Sequence, residues 1–317
     1  MQPIFLKPVL QEKIWGGSKL QTQFNLELPN ESIGEAWCIS AHPNGVSTVT
    51  TPASYQGLGL DELYEKHPEL FGEDHPTPFP LLIKILDAND DLSVQVHPDD
   101  SYASAHEGQG ELGKTECWYI ISAEPGASII YGHHAQSREE FEAMVEDGNW
   151  DGLLRRIEVK AGDFFYVPHG TIHAIGAGIV ILETQQNSDT TYRVYDYDRR
   201  DKQGQLRDLH LKQSADVTQF PHQDAETTLS VQKDEQSSAS HLLTNEYFSV
   251  YKWQTAGELT LDLPKAYYLV TVIEGSGELT LDGHPYPLQL ADSFIIPNGV
   301  NQINLSGTMT LIASNPE

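Results

Sequence analysis

Short runs of apolar, β-branched and aromatic residues recur along this chain, several of them alternating with polar positions. In the first 200 residues they are VSTVTT (46–51), LLIKIL (81–86), DLSVQV (91–96), TECWYIIS (115–122), ASIIYG (127–132), DFFYVP (163–168) and IVILETQ (179–185). Each is bounded by Gly, Pro, Asp or Asn, which predicts strands. After residue 240 the pattern resumes with 247–253, 266–275, 277–283 and 292–297. Two stretches, 57–72 and 137–148, carry apolar residues at helical spacing, the second with Ser137 as N-cap before Glu140. Many short strands with few helices predict a mainly β barrel or sandwich.

Residues 201–240 are polar, rich in Gln, Ser and Asp, and show little periodicity, which predicts a linker. On either side a pattern repeats. GDFFYVPHGTIH (162–173) and ADSFIIPNGVNQ (291–302) share Pro-x-Gly in one register. Such self-similarity predicts two related β-barrels. His173 in the first copy is matched by Gln302 in the second, so the second lacks the first's polar equipment. The expected division is a chemically active unit over 1–200, the linker 201–240, and a degenerate second barrel over 241–317.

Composition narrows the picture. Of 317 residues, 39% are hydrophobic, enough for ordinary cores, and no run reaches the roughly 20 apolar residues of a membrane helix. The N-terminal stretch lacks the basic-then-apolar layout of a signal peptide. Two cysteines, Cys38 and Cys117, imply no disulfide framework. A cytoplasmic protein is expected. The 46 acidic and 19 basic residues give a formal charge of −27, which argues against nucleic acid and acidic membranes as partners. A phosphorylated ligand would need cations concentrated in its site.

The candidate chemistry lies in the first barrel. Alternation places Ser93, Gln95 and His97 on one strand face, and Lys114, Glu116 and Trp118 on one face of the next. His173 opens the strand after the Pro168–Gly170 turn. Imidazoles and charges on an inward face are costly unless paired or metal-bound. Two His, one Glu and a Gln converging in a barrel satisfy one another best around a divalent cation, with Zn²⁺ and Fe(II) both compatible.

The spacing Gly162-x5-Pro168-x-Gly170-x2-His173 resembles the second motif of the cupin superfamily, with Ala177 where an Asn is common. More specifically, SVQVHPDD (93–100), KTECWY (114–119), VPHGTIHA (167–174) and LETQQNSDTTYRVYDYDR (182–199) resemble the class I, zinc-dependent mannose-6-phosphate isomerases of the short bacterial type. LKPVLQEKIWGG, GEAWCISAHPNG and PFPLLIKILDANDDLSVQVHP are similar to the same family. The resemblance implies two cupin-like jelly-roll barrels. It also implies one zinc per chain on Gln95, His97, Glu116 and His173, and a hexose phosphate substrate. Arg193 falls where the family has an arginine near the reacting carbons. Lys114 and Glu183 are implied in catalysis, and Ser93 and Lys84 face the substrate. The implied reaction passes through a cis-enediol(ate). Rival readings are a catalytically silent sugar-phosphate sensor and an iron-dependent cupin dioxygenase.

Other candidates have plainer readings. His133 and His134 are adjacent, so on a strand they face opposite ways. His169 reads as a turn residue, His42 as structural and His67 as helix surface. Cys117 reads as a small buried hydrophobe. Arg193 is expected on one strand face with Tyr195 and Tyr197, pointing inward.

Overall fold

The computed structural model describes residues 1–72, 75–201, 203–227, 230–234 and 237–317. Its strands pair antiparallel. A six-stranded sheet runs in the order Phe164–Val167, Glu116–Ala123, Ile179–Gln186, Leu81–Ala88, Ile33–Ile39 and Val9–Gly17. A five-stranded sheet runs Leu154–Glu158, Ser128–His133, His173–Ile175, Val94–Val96 and Tyr192–Tyr195. The path of a nine-stranded sheet begins Ser230–Asp234, Ser237–Thr244, Phe248–Asp262 and Gln302–Pro316. It continues Tyr268–Leu281, Ser293–Ile296, Ile4–Lys7 and Thr48–Thr51, and His284–Leu288 pairs with Tyr268–Leu281. The molecule is thus mainly β, with sheets that fit the jelly-roll pattern and a few short helices.

The six-stranded sheet is buried on both faces, which explains why LLIKILDA is buried at every position. Its period-2 alternation sends alternate residues into two different cores. Ile83, Ile85, Cys117 and Leu182 pack with Leu269, Ile295 and Ile312 of the nine-stranded sheet. Leu86, Trp118, Ile120 and Ile181 pack with Ile129, Tyr131 and Ile175 of the five-stranded sheet. Lys84, Glu116 and Glu183 share the parity of this second set, so the chain carries three charges into the space between the two sheets. On the far side of the five-stranded sheet, Val94, Val96, Ala174 and Val194 pack with Phe141, Leu153 and Ala215 of three short helices. Apolar residues on that side turn Gln95, His97 and His173 inward.

The repeat is visible in the backbone. Gly162 and Ala291 have φ of 90° and 72°, and Gly170 and Gly299 have φ of 79° and 92°. Phe164–Val167 pairs with its neighbour so that Val167 faces Glu116, and Ser293–Ile296 pairs so that Ile296 faces Tyr268. Tyr268 therefore stands in the second roll where Glu116 stands in the first. Beyond the second turn the inward parity slips by one. Gln302 is exposed and donates to Asp262 Oδ1 at 2.8 Å, while Ile303 enters a core with Leu305, Val270 and Phe294. The second roll is packed with hydrocarbon where the first is polar.

Several elements differ from expectation. The stretch 57–72 holds a helix, Leu60–Lys66, and a separate 3-10 turn, Pro68–Leu70, because Pro68 lacks the N–H a continuing helix needs. In 137–148 the helix is Arg138–Glu146, and Ser137 Oγ accepts the Glu140 N–H at 3.3 Å. The runs 266–275 and 277–283 are one strand, Tyr268–Leu281, with a register shift at Val272/Glu274. The stretch 201–240 contains a helix, Leu211–Val217, and the strands Ser230–Asp234 and Ser237–Thr244; positions 202, 228, 229, 235 and 236 lie outside the described residues. Ile4–Lys7 pairs with Ser293–Ile296, tying the N-terminal residues to the C-terminal roll. Among the described residues, no helix is long and apolar enough to cross a membrane.

Candidate functional site

His97, Glu116 and His173 converge from three strand ends between the five- and six-stranded sheets, each at most 1% exposed. His97 Nε2 lies 3.4 Å from Glu116 Oε2, and His173 Nε2 lies 3.3 Å from Glu116 Oε1. Each ring is fixed from behind, because a carbonyl oxygen only accepts. His97 Nδ1 donates to Thr190 O at 2.9 Å, and His173 Nδ1 donates to Thr171 O at 2.9 Å. Both Nε2 lone pairs then face the carboxylate. Burial, helped by the Lys114 ammonium, pushes His97 down to about 3, against the pull of Glu116. Burial also lowers His173. Neutral imidazole acceptors therefore oppose carboxylate acceptors, and His97 Nε2 and Glu116 Oε2 are buried without a hydrogen-bond partner. Acceptors orphaned face to face fit a cation between them. The donor set, two imidazoles and a carboxylate with Gln95 alongside, suits a divalent ion. Gln95 Nε2 is 3.4 Å from His173 Nε2, directly across the strand pair.

The cluster adjoins a cavity of about 300 Å³. Lys13, Lys84, Lys114, Arg193 and Arg207 line it, so five of the chain's 19 basic residues meet at one place. Glu35, Glu183 and Asp189 line it too. Lys114 Nζ is 3.3 Å from Glu116 Oε2. Burial disfavours that ammonium, but Glu116 and Glu183 outweigh burial and hold it above the ordinary lysine range. The Trp118 indole N–H is shared between Glu116 Oε1 at 3.0 Å and Glu183 Oε2 at 3.2 Å. Burial and the Glu116 charge raise the Glu183 carboxyl, with Lys84 3.4 Å away pulling the other way. Glu35 behaves oppositely. Burial pushes it up, but Lys84, Lys13 and the Trp37 indole outweigh burial and hold it down to about 2.

The residues proposed from the sequence for catalysis, substrate and metal lie at this cavity or the cluster beside it: Ser93, Lys84, Lys114, Glu183 and Arg193 with the four proposed ligands. The expected reason for Arg193 is corrected. A register shift falls between Arg193 and Tyr195, so the two do not share a face. Tyr195 stacks on Trp150 outside the sheet, with centroids 4.1 Å apart, and Tyr197 has φ of 58° beyond the strand. His133 bonds Gln219 O, away from the cluster. His42 lines a separate polar groove, which shares Asp189 and Thr191 with the cavity.

Sequence reasoning missed Lys13, Glu35 and Arg207. Lys13 and Glu35 lay in segments noted only for resemblance, and Arg207 lay in the stretch read as linker. Alternation could have found Glu35, which stands opposite Leu86 on the neighbouring strand. No local pattern marks Arg207, which reaches the cavity while its guanidinium is paired with Asp196.

Residues 4–120 match the family model for the catalytic domain of type I phosphomannose isomerase, and residues 238–316 match that for the mannose-6-phosphate isomerase cupin domain. The chain is 53% identical to mannose-6-phosphate isomerase of Streptococcus mutans over 99% of its own length and 98% of the relative's. Identity to a Bacillus subtilis mannose-6-phosphate isomerase is 50%, over 99% and 98%. A crystal structure of the mannose 6-phosphate isomerase from Bacillus subtilis matches with TM-score 0.96 and 48% identity, over 99% of this chain and 100% of that one. Phosphomannose isomerase of Salmonella typhimurium, at 17% identity and TM-score 0.81 over the whole of both chains, shares the fold.

Proposed function

The chain belongs to the type I phosphomannose isomerase family, and from that premise we propose that it interconverts mannose 6-phosphate and fructose 6-phosphate. The observation that carries the reading is the set of orphaned Nε2 and carboxylate acceptors beside a cavity lined by five cations. The cations offset, at one place, the repulsion a phosphate meets from a chain of net charge −27.

Gln95, His97, Glu116 and His173 would hold one zinc ion per chain. Bound there, zinc supplies Lewis-acid polarisation of the sugar's carbonyl and neighbouring hydroxyl oxygens. The remaining work falls to protein groups. Glu183 takes the proton from C2 of the aldose and returns it to C1, while the proton of the 2-hydroxyl passes to the former aldehyde oxygen, giving the ketose through a cis-enediol(ate). Its pKa, raised by burial and the Glu116 charge, suits a group that must both accept and release a proton. The Trp118 N–H and Lys84 orient it. Lys114, held protonated, faces the oxygen on which charge develops, and Arg193 stabilises that charge or grips phosphate. Ser93 fixes Arg193 through Nε at 3.3 Å. Lys84, with Lys13 and Arg207 at the cavity, extends the positive field toward the phosphate.

The division into an active unit over 1–200 and a supporting roll over 241–317 is part of this reading, with 201–240 lending Arg207 to the cavity. So is a cytoplasmic location, which two free buried thiols suit. A coupled assay of fructose 6-phosphate formation, with and without chelator and with zinc restored, tests the reading. Binding of mannose 6-phosphate without turnover would instead identify a sensor, and iron-dependent oxygen uptake would identify a dioxygenase.

A further inference from the structure

We propose that His210 is a positioning residue for this isomerisation, its ring and backbone together clamping Arg193 at the cavity. The proposal rests on the reading of function above. Tyr192–Tyr195 is the edge strand of the five-stranded sheet, so Arg193 has no strand partner on its outer side. An edge residue leaves N–H and C=O groups to be satisfied elsewhere. His210 satisfies both. Its N–H donates to the Arg193 carbonyl at 2.8 Å, and its Nδ1 accepts the Arg193 N–H at 3.1 Å. An imidazole nitrogen thus stands where a partner strand's carbonyl would be. Two residues earlier, the Asp208 carbonyl accepts Arg193 Nη1 at 2.8 Å, and from the other side Ser93 Oγ accepts Nε at 3.3 Å. Among the described residues Nη2 donates no hydrogen bond, and it is the guanidinium nitrogen left for a ligand oxyanion.

The use made of His210 is specific. It occupies the N-cap of Leu211–Val217, where a side chain ordinarily accepts from the first helical turn, yet its ring makes no capping bond. The ring is spent on Arg193 instead. Burial and the Arg193 charge hold the imidazole below its ordinary range, which keeps Nδ1 an acceptor. The register shift between Arg193 and Tyr195 adds to the need for a clamp, because the pairing is irregular just beyond Arg193 before it resumes at Tyr195 opposite Val94.

Three substitutions separate positioning from capping. An asparagine Oδ1 lies as many bonds from Cβ as a histidine Nδ1, so His210→Asn retains an acceptor for the Arg193 N–H. Serine caps helices well but is one bond too short to reach, so His210→Ser keeps the helix and the backbone bond to Arg193 and loses the ring half of the clamp. His210→Ala loses the Nδ1 acceptor and gains no cap. With mannose 6-phosphate, His210→Ala and His210→Ser should lower kcat by about tenfold to a hundredfold with KM changed less, as a displaced catalytic group does. Metal content and thermal midpoint should stay near wild type in His210→Ser, and His210→Asn should return most of kcat. Wild-type activity in His210→Ser would overturn the proposal, since the ring acceptor would then be dispensable for turnover. If His210→Ala does not fold, the contrast between Ser and Asn decides. A second measurement is independent of turnover: the Arg193 Nε–H resonance in ¹⁵N-labelled protein should broaden in His210→Ser and sharpen again in His210→Asn. An unchanged resonance in His210→Ser refutes the clamp even if wild-type protein isomerises no sugar, whereas a wild type without turnover and a responsive resonance refutes the function alone.

Discussion

His173 and Gln95 stand directly opposite each other on neighbouring antiparallel strands, with their Nε2 atoms 3.4 Å apart. Because His173 Nδ1 is a donor, its Nε2 can only accept, and the Gln95 amide donates to it. A divalent cation at the cluster would take that lone pair and prefer the amide oxygen, so Gln95 would serve as a ligand with its amide turned over.

The first prediction follows from that pair. Elemental analysis after exhaustive dialysis should find one divalent ion per chain in the wild type and almost none in His97→Ala or His173→Ala. Gln95→Leu, which removes a neutral donor, should weaken affinity by about tenfold and leave the site competent. Full metal in both histidine variants would dismiss the assignment.

Glu183→Gln removes the proposed proton carrier while keeping the shape and the indole contact. The kcat should fall by roughly 10² to 10⁴ with metal content unchanged. Retained turnover would move the base elsewhere.

Arg193→Lys keeps a charge but loses the planar fork. The kcat should drop on the order of a hundredfold, with a smaller change in KM and no loss of metal. Normal kcat with a large rise in KM would assign Arg193 to the phosphate alone.

Glu35 gives a pH signature in stability. Its carboxyl titrates near 4.5 in an unfolded chain and at about 2 in the fold, so the unfolded state binds more protons between those values. Its contribution is therefore full above pH 4.5 and is lost as pH falls through 2. Glu35→Gln should cost on the order of 3 kcal/mol in urea unfolding at about pH 7, and the deficit should shrink steadily below pH 4.5. A deficit independent of pH would mean that packing, and not the Lys84 and Lys13 charges, accounts for the loss.

Period-2 alternation was enough to place Gln95 and His97 on one inward face and Glu116 with Lys114 on another, because a pleated strand offers side chains two directions. The repeated Pro-x-Gly turn likewise announced two rolls, its left-handed positions at 162, 170, 291 and 299 being local backbone requirements. Counting along a strand fails where a strand is irregular. The shift after Arg193 sends Tyr195 outward, and the slip beyond Gly299 exposes Gln302 and buries Ile303, two displacements that depend on neighbouring strands. Composition failed at 201–240, since Arg207 and His210 are defined by Asp196 and Arg193, which the fold alone brings to them. The sequence by itself determined which side chains face inward on the regular strands. The tertiary structure decided which of them meet, since a cavity lined by Lys13, Glu35, Glu183 and Arg207 is closed by contacts between residues far apart in the chain.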